Sequence, residues 1–179
     1  MTILVESSPN ANGNGHYLAE KIMEKYAVEG IERFRLWDID YRGCRGCMDC
    51  KNKDTFCTQA DGLNVWLPKL AAASRIVLIA PNYMGFVAGE VKQFIDRWYC
   101  MRDANKMSRF KSGSKLIFLF TQGSGKRDRG DNAQNWIKSI ADSFQLKYYG
   151  ITVPNCERNN TDGVRLKQDE IMMSLSFFS

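Results

Sequence analysis

No apolar run in this 179-residue sequence approaches the length of a membrane span, and Ile3-Leu4-Val5 is too short to be the apolar stretch of a signal peptide. A cytoplasmic protein is therefore expected, in which cysteines serve as metal ligands or redox groups more often than as disulfides. Internal repeats and low-complexity segments are missing. So are the GxGxxG and GKS/T patterns, which argues against a dinucleotide fingerprint and a P-loop. Neither sign of charge dominates, since 25 Lys and Arg against 20 Asp and Glu leave a scattered net +5. That is too weak a signal for a nucleic-acid partner, yet it counts against a small acidic electron carrier and suits anionic cofactors. A hydrophobic content of 44% and a charged content of 25% are ordinary for one globular domain with one sizeable core.

Cysteine, by contrast, is concentrated. Four of the six cysteines fall in the run Cys44, Cys47, Cys50 and Cys57, spaced C-x2-C-x2-C-x6-C. Two-residue gaps let three thiolates curl around one point, and the longer reach lets a fourth close the ring. Three readings stay open on spacing alone. An iron–sulfur cluster suits an uneven run whose first ligands are tightly spaced. Structural zinc more often uses two separated pairs, and the second pair is missing. Idle thiols in a surface loop are the third. Cys100 and Cys156 stand apart in sequence and are expected to be buried free thiols.

Taken in order, Thr2–Val5 reads as a strand feeding a loop of small polar residues, followed by a helix with Leu18, Ile22 and Tyr26 on one face. Strand, small-residue loop and amphipathic helix aim backbone N–H groups and a helix dipole at an anion. Phe34 and Leu36 alternate with charged residues, as in a half-buried edge strand. Leu63, Trp66, Leu67 and Leu70 mark a second helix. Arg75–Ala80 and Lys115–Phe120 are unbroken apolar runs, expected to be strands buried on both faces. Helical stripes at Val91, Phe94, Ile95 and Trp98 and at Trp136, Ile137, Ile140 and Phe144 follow them. Between these, 102–114 reads as a long solvated loop. Tyr148–Val153 is the last strand, and Ile171, Met172, Leu175 and Phe178 fit a terminal helix.

Five strands alternating with helices predict an α/β protein with a parallel sheet covered on both sides. Loops 6–16, 40–58, 81–87 and 121–130 each follow a strand, so they are expected to gather at the carboxyl edge and outline one site. Lys126, Arg127 and Arg129 in the last of these are candidates to attract a nucleotide phosphate.

Three passages resemble the flavodoxin-like NADPH-dependent FMN reductase family, and within it the iron–sulfur flavoproteins. Ser8-Pro-Asn-Ala-Asn-Gly-Asn14 is similar to the family's phosphate loop. Pro81-Asn-Tyr-Met-Gly-Phe-Val-Ala-Gly-Glu-Val-Lys-Gln-Phe-Ile-Asp-Arg97 is close to its Pro-x-Tyr…Lys-x-Phe-x-Asp-Arg segment. The four-cysteine run, with Asp61 soon after, resembles the subgroup with a [4Fe–4S] cluster. The likeness implies a flavodoxin-like doubly wound sheet of order 2-1-3-4-5 in a single domain over 1–179, with a cysteine-rich loop at 40–60 and an extension at 155–179. It implies FMN, with Ser8, Asn10, Asn12, Asn14, Gly15 and His16 at the phosphate. Pro81, Asn82, Tyr83, Met84, Gly85 and Phe86 would lie along the ribityl chain and ring, and Thr121, Gln122 and Gly123 at the pyrimidine end. Cys44, Cys47, Cys50 and Cys57 would hold the cluster. Asn10 stands where the family often has Arg, and Gly15 where it often has Ser or Thr, so one charge and one hydroxyl are missing from the expected phosphate hold.

The implied activity is an FMN-dependent oxidoreductase passing electrons between NAD(P)H or a ferredoxin-type donor and a small acceptor, as a homodimer or homotetramer. No side chain is expected to act as a general base. A cluster-free NAD(P)H:FMN or quinone reductase and a non-catalytic flavin electron carrier are the alternatives.

Overall fold

Alternate residues of the central strands are apolar on both sides, and the computed structural model shows what each side buries. It describes residues 1–158 and 160–176, without the side chains of Arg127 and Ser176, so Phe178 and one of the three loop cations lie outside the description. The strands are β1 (Thr2–Glu6), β2 (Ile31–Arg35), β3 (Arg75–Tyr83), β4 (Phe86–Val87), β5 (Lys115–Thr121) and β6 (Lys147–Val153). Five of them form a parallel sheet of order β2-β1-β3-β5-β6, and the short β4 folds back antiparallel on β3. This is the doubly wound flavodoxin-like arrangement.

Ile3, Val5, Ile76, Leu78, Leu116 and Phe118 face a core beneath α3 (Trp66–Ala72), α4 (Gly89–Arg97) and α5 (Asp131–Ser143). Leu4, Val77, Ile79, Ile117 and Leu119 face the opposite core, under α1 (Asn14–Tyr26), α6 (Asp162–Arg165) and α7 (Gln168–Ser176). A fully buried Leu, Ile or Phe contributes roughly 1.5–3 kcal/mol, which is why the β3 and β5 runs carry no polar interruption. β2 is the half-buried edge expected from its alternation. Among the described residues no helix is long and apolar enough to cross a membrane.

The registers align the carboxyl ends: Glu6 lies beside Ile79, Pro81 beside Thr121, and Thr121 beside Val153. The loops after β1, β3, β5 and β6 therefore open at one level. The 40–58 loop does not stay there, contrary to the expectation that four loops outline one site. Its chain runs along α4: the Tyr41 hydroxyl donates to Glu90 O at 2.8 Å, Gly43 lies against Gln93, and Arg97 donates to Arg42 O at 2.7 Å. The short helix α2 (Asp49–Asn52) then packs at the far end of α4.

The 102–114 loop is also not merely solvated. Phe110 is buried between Trp98 and Phe144, and Arg109 reaches Asp54 and the Phe56 ring, so the loop covers the cysteine segment.

Candidate functional site

The carboxyl edge carries a cleft of about 700 Å³, inside the ~300–1,000 Å³ range of small-molecule sites. Its floor begins at Ser7, whose N–H and hydroxyl both donate to Ile79 O at 3.0 Å, fixing the chain as it leaves β1. Ser8, Asn10, Asn14 and Gly15 line the cleft from this loop, with Pro9 and Gly13 beside them. The loop is braced from below, where Trp37 Nε1 donates to Ser7 O at 3.0 Å and Arg35 to Ser8 O at 3.3 Å. Helix α1 starts here with no side-chain cap and no acidic residue in its first turn, which leaves its N–H groups and positive dipole end for an anion.

A Cβ on Gly15 would stand 3.2 Å from Ser8 Cβ, a tight approach that one of the two would have to relieve by a few tenths of an ångström. Asn12 and His16 do not line the cleft. Asn12 N–H donates to the Asn10 side chain at 3.0 Å, and His16 turns toward buried Glu6, with its Nδ1 2.8 Å from Arg33.

Pro81, Asn82 and Tyr83 line the next wall. Met84 and Gly85, at φ 51 and 84, make the tight turn into β4, and Asn82 Oδ1 accepts from Gly85 N–H at 2.9 Å. The turn leaves Met84 wholly exposed at the tip, outside the lining, while Phe86 packs on Trp136 at 5.2 Å. Thr121, Gln122 and Gly123 form the third wall. Gln122 Nε2 donates to Ser124 O at 3.1 Å and Lys126 O at 2.6 Å, closing its own loop. Lys126 and Arg129 are exposed and line no part of the cleft.

Sequence reasoning missed the fourth wall, Cys156, Glu157 and Arg158, because a polar loop after the last strand carries no motif. Cys156 is therefore not an isolated thiol. It donates to Val153 O at 3.3 Å, and burial pushes its pKa up to about 11, so a neutral thiol borders the cleft.

Two buried oxygens in this lining, Asn14 Oδ1 and Gln122 Oε1, have no partner among the described residues. Leaving such acceptors unmet costs about 1–3 kcal/mol each, so they fit a ligand rich in N–H and O–H donors. FMN is one, with its ribityl hydroxyls and ring N–H, and its phosphate suits the uncapped helix.

The cysteines surround a separate hollow of about 20 Å³. Cys44 and Cys47 are exposed, Cys57 is half-buried and Cys50 is buried. The buried Cys100 joins them from the end of α4, so it too is not isolated. Burial, reinforced by the sulfurs of Cys57, Cys44 and Cys47, pushes the Cys50 thiol up despite Lys51, and burial lifts Cys100 to about 11. Gly46 N–H donates to Cys44 Sγ at 3.5 Å and Gln59 Nε2 to Cys57 Sγ at 3.7 Å.

Arg97, wholly buried, pairs with Asp61 at 2.6 Å and bonds Asn64 Oδ1 at 3.0 Å, tying both ends of the loop to α4. Burial would raise the Asp61 carboxyl, but the bonds from Arg97 and from the Arg42 and Leu63 N–H groups outweigh it and hold it below the usual range. A zinc ion needs its sulfurs within about 2.3 Å of one point, and among the described residues no three His, Cys, Asp or Glu are grouped to hold a single ion. Of the five thiols around this one hollow, the four of the cysteine run fit the all-cysteine ligand set of an iron–sulfur cluster, which stands between its ligands.

The two sites share no lining residue and lie toward opposite ends of α4, whose nine residues span about 13 Å.

The family model for NADPH-dependent FMN reductase matches residues 1–153. The chain belongs to that family. An iron-sulfur flavoprotein of Archaeoglobus fulgidus is 33% identical over 130 residues, covering 72% of this chain and 61% of that protein. Another, of Methanocaldococcus jannaschii, is 33% identical over 155 residues, covering 83% and 79%. These relatives place the chain in the iron–sulfur flavoprotein subgroup. The FMN-dependent NADH-azoreductase of Bacillus anthracis, solved with FMN, superimposes at TM-score 0.73 over 99% of this chain and 98% of that one, at 12% identity. The NAD(P)H:quinone oxidoreductase of Methanothermobacter marburgensis gives 0.70 over 94% and 92%, also at 12% identity. At such identities the likeness is one of fold.

Proposed function

We propose that this member of the FMN reductase family is a cytoplasmic oxidoreductase of the iron–sulfur flavoprotein type. It passes electrons between NAD(P)H or a ferredoxin-type donor and a small acceptor. The observation that carries this reading is the carboxyl-edge cleft, with Asn14 Oδ1 and Gln122 Oε1 buried and, among the described residues, unpartnered beside an uncapped helix. FMN in that cleft supplies two-electron and one-electron chemistry at its ring, and the protein's part is binding and orientation. The backbone N–H groups at the start of α1, that of Asn14 among them, would hold the phosphate with the Ser8 hydroxyl, and Asn14 Oδ1 would accept from a flavin O–H or N–H. Gln122 Oε1 accepts from the pyrimidine end, and Tyr83 borders the ring on the solvent side. Cys44, Cys47, Cys50 and Cys57 hold a [4Fe–4S] cluster, and Arg97 and Lys51 place positive charge against its thiolates.

The separation of the two sites along α4 supports a homodimer or homotetramer in which the cysteines of one copy face the flavin cleft of another. Exposed apolar side chains mark both ends: Met48 and Tyr99 are 43% and 44% exposed at the cysteine hollow, and Tyr83 and Met84 are 46% and 103% exposed at the cleft. The same separation favours, as a second reading, a cluster-free NAD(P)H:FMN or quinone reductase whose cysteines are idle.

Anaerobic purification with iron and acid-labile sulfide assays and a visible spectrum tests both. The first reading expects flavin bands over a broad brown shoulder, with iron lost and flavin kept in Cys50→Ala. Flavin bands alone with no iron establish the second. A colourless protein that takes up no FMN overturns both. Bleaching by NADPH, compared with bleaching by reduced ferredoxin, identifies the donor. A flavin that neither donor bleaches leaves a non-catalytic carrier.

A further inference from the structure

Residues beyond the family-matched segment return over the cleft. After β6 the chain turns at Asn155, whose φ is 59, and forms a strap. Cys156 N–H donates to Gln122 O at 2.8 Å, and Asn14 Nδ2 donates to Glu157 O at 2.9 Å. The strap thus joins the Gln122 wall to the first residue of α1. It is clamped from outside. Lys167 Nζ donates to Pro154 O at 2.8 Å, and Gly163 lies so close that a Cβ on it would stand 1.9 Å from Asn155 O. The residue that follows the Asn14 contact is Arg158, which lines the cleft with Asn10, Gly13 and Asn14.

Charge around the start of α1 makes this placement informative. Loop 7–15 contains no Lys or Arg, and among the described residues the only acidic group in the lining is the neighbouring Glu157. Among the described residues, Arg158 is the single cationic side chain of the lining, and it forms no ion pair with an acidic side chain. A dianionic phosphate at an uncapped helix N-terminus, with the 8%-exposed Asn14 facing the same cleft, calls for a positive partner.

We propose that Arg158 is a phosphate-binding residue for FMN, carried by a strap outside the family core rather than by the loop after β1. This assignment rests on the flavin reading of the cleft. The guanidinium presents a planar fork of donors to the phosphate oxygens, and the strap holds it at the end of the cleft nearest Asn14.

The test is an equilibrium titration of the full chain, stripped of flavin, with FMN and separately with riboflavin, at low and high salt. Arg158→Gln is expected to weaken FMN binding roughly tenfold to hundredfold at low salt, with a smaller loss at high salt. Riboflavin binding should be unchanged, and Asn10→Arg in the Arg158→Gln background should recover much of the FMN affinity. Glu157→Gln, which removes the acidic charge from the lining and keeps the backbone contact to Asn14, should tighten FMN binding at low salt. Equal losses for FMN and riboflavin would show that Arg158 only supports the strap and overturn the assignment. So would unchanged FMN binding accompanied by loss of NADPH affinity. Failure of the unaltered chain to bind either flavin would instead remove the reading of the cleft, and this assignment with it.

Discussion

Asn14 has half of its side-chain amide committed and half free. Its Nδ2 is tied to Glu157 O, while Oδ1 is buried without a partner among the described residues. Asn14→Asp exchanges the donor for a carboxylate oxygen facing a carbonyl and adds negative charge where a phosphate is to sit. Affinity for FMN should fall roughly tenfold or more, read from quenching of flavin fluorescence, because the bond to the Glu157 carbonyl is lost and a charge repulsion is gained. At the other site, exposure and burial sort the thiols. In protein stripped of metal, iodoacetamide at pH 8 should label Cys44 and Cys47 well before Cys100, whose thiol is buried and raised to about 11, as mass mapping of the peptides would show. Equal labelling of all three would mean that the cysteine segment opens freely.

At the scale of the element, α4 ties the two sites together. Its last residue, Arg97, is buried against Asp61, Asn64 and the Arg42 carbonyl, so the cysteine segment hangs on one guanidinium. Removing one member of a buried pair leaves the other uncompensated. Arg97→Met should therefore cost about 3–5 kcal/mol by chemical denaturation and lower the iron content per chain. The pair also gives a pH signature. Asp61 titrates below its ordinary value when folded, so its contribution is complete above the unfolded carboxylate value near 4. It is lost as pH falls through the lower folded value. Asp61→Asn should be less stable than the unaltered chain at pH 7, and the gap should close on acidification through that window. A constant gap would contradict the pairing. The β3–β4 turn is a second element whose role is invisible in the residue types, since Met84 adopts a positive φ usually taken by Gly or Asn.

For the whole molecule, the proposed electron transfer has to connect the cysteine hollow with the cleft. Under the proposed function, the cysteine hollow and the cleft of one chain share no lining residue, and the exposed side chains at both offer a route between copies. Sedimentation velocity should find a dimer or tetramer at micromolar concentration. Met84→Glu, at the exposed hairpin tip, should shift the protein toward monomer, keep both flavin and iron, and slow electron exchange between them in stopped-flow traces. A monomer with undiminished exchange would place the transfer within one chain.

Much of this was legible in the residues themselves. The apolar runs at β3 and β5 can only be buried on both faces, the charged alternation in β2 can only be an edge, and small polar residues between β1 and α1 leave a helix start bare. Those local constraints determined the sheet, its order through the family likeness, and the three walls of the cleft that follow β1, β3 and β5. Tertiary structure alone decided where the remaining pieces went. The cysteine segment follows α4 because Tyr41 and Arg97 find partners along that helix, and that carried it away from the edge where strand order had placed it. Cys100 entered the thiol hollow, and the Cys156–Arg158 strap closed the cleft, through contacts between residues far apart in sequence, which no spacing or periodicity records.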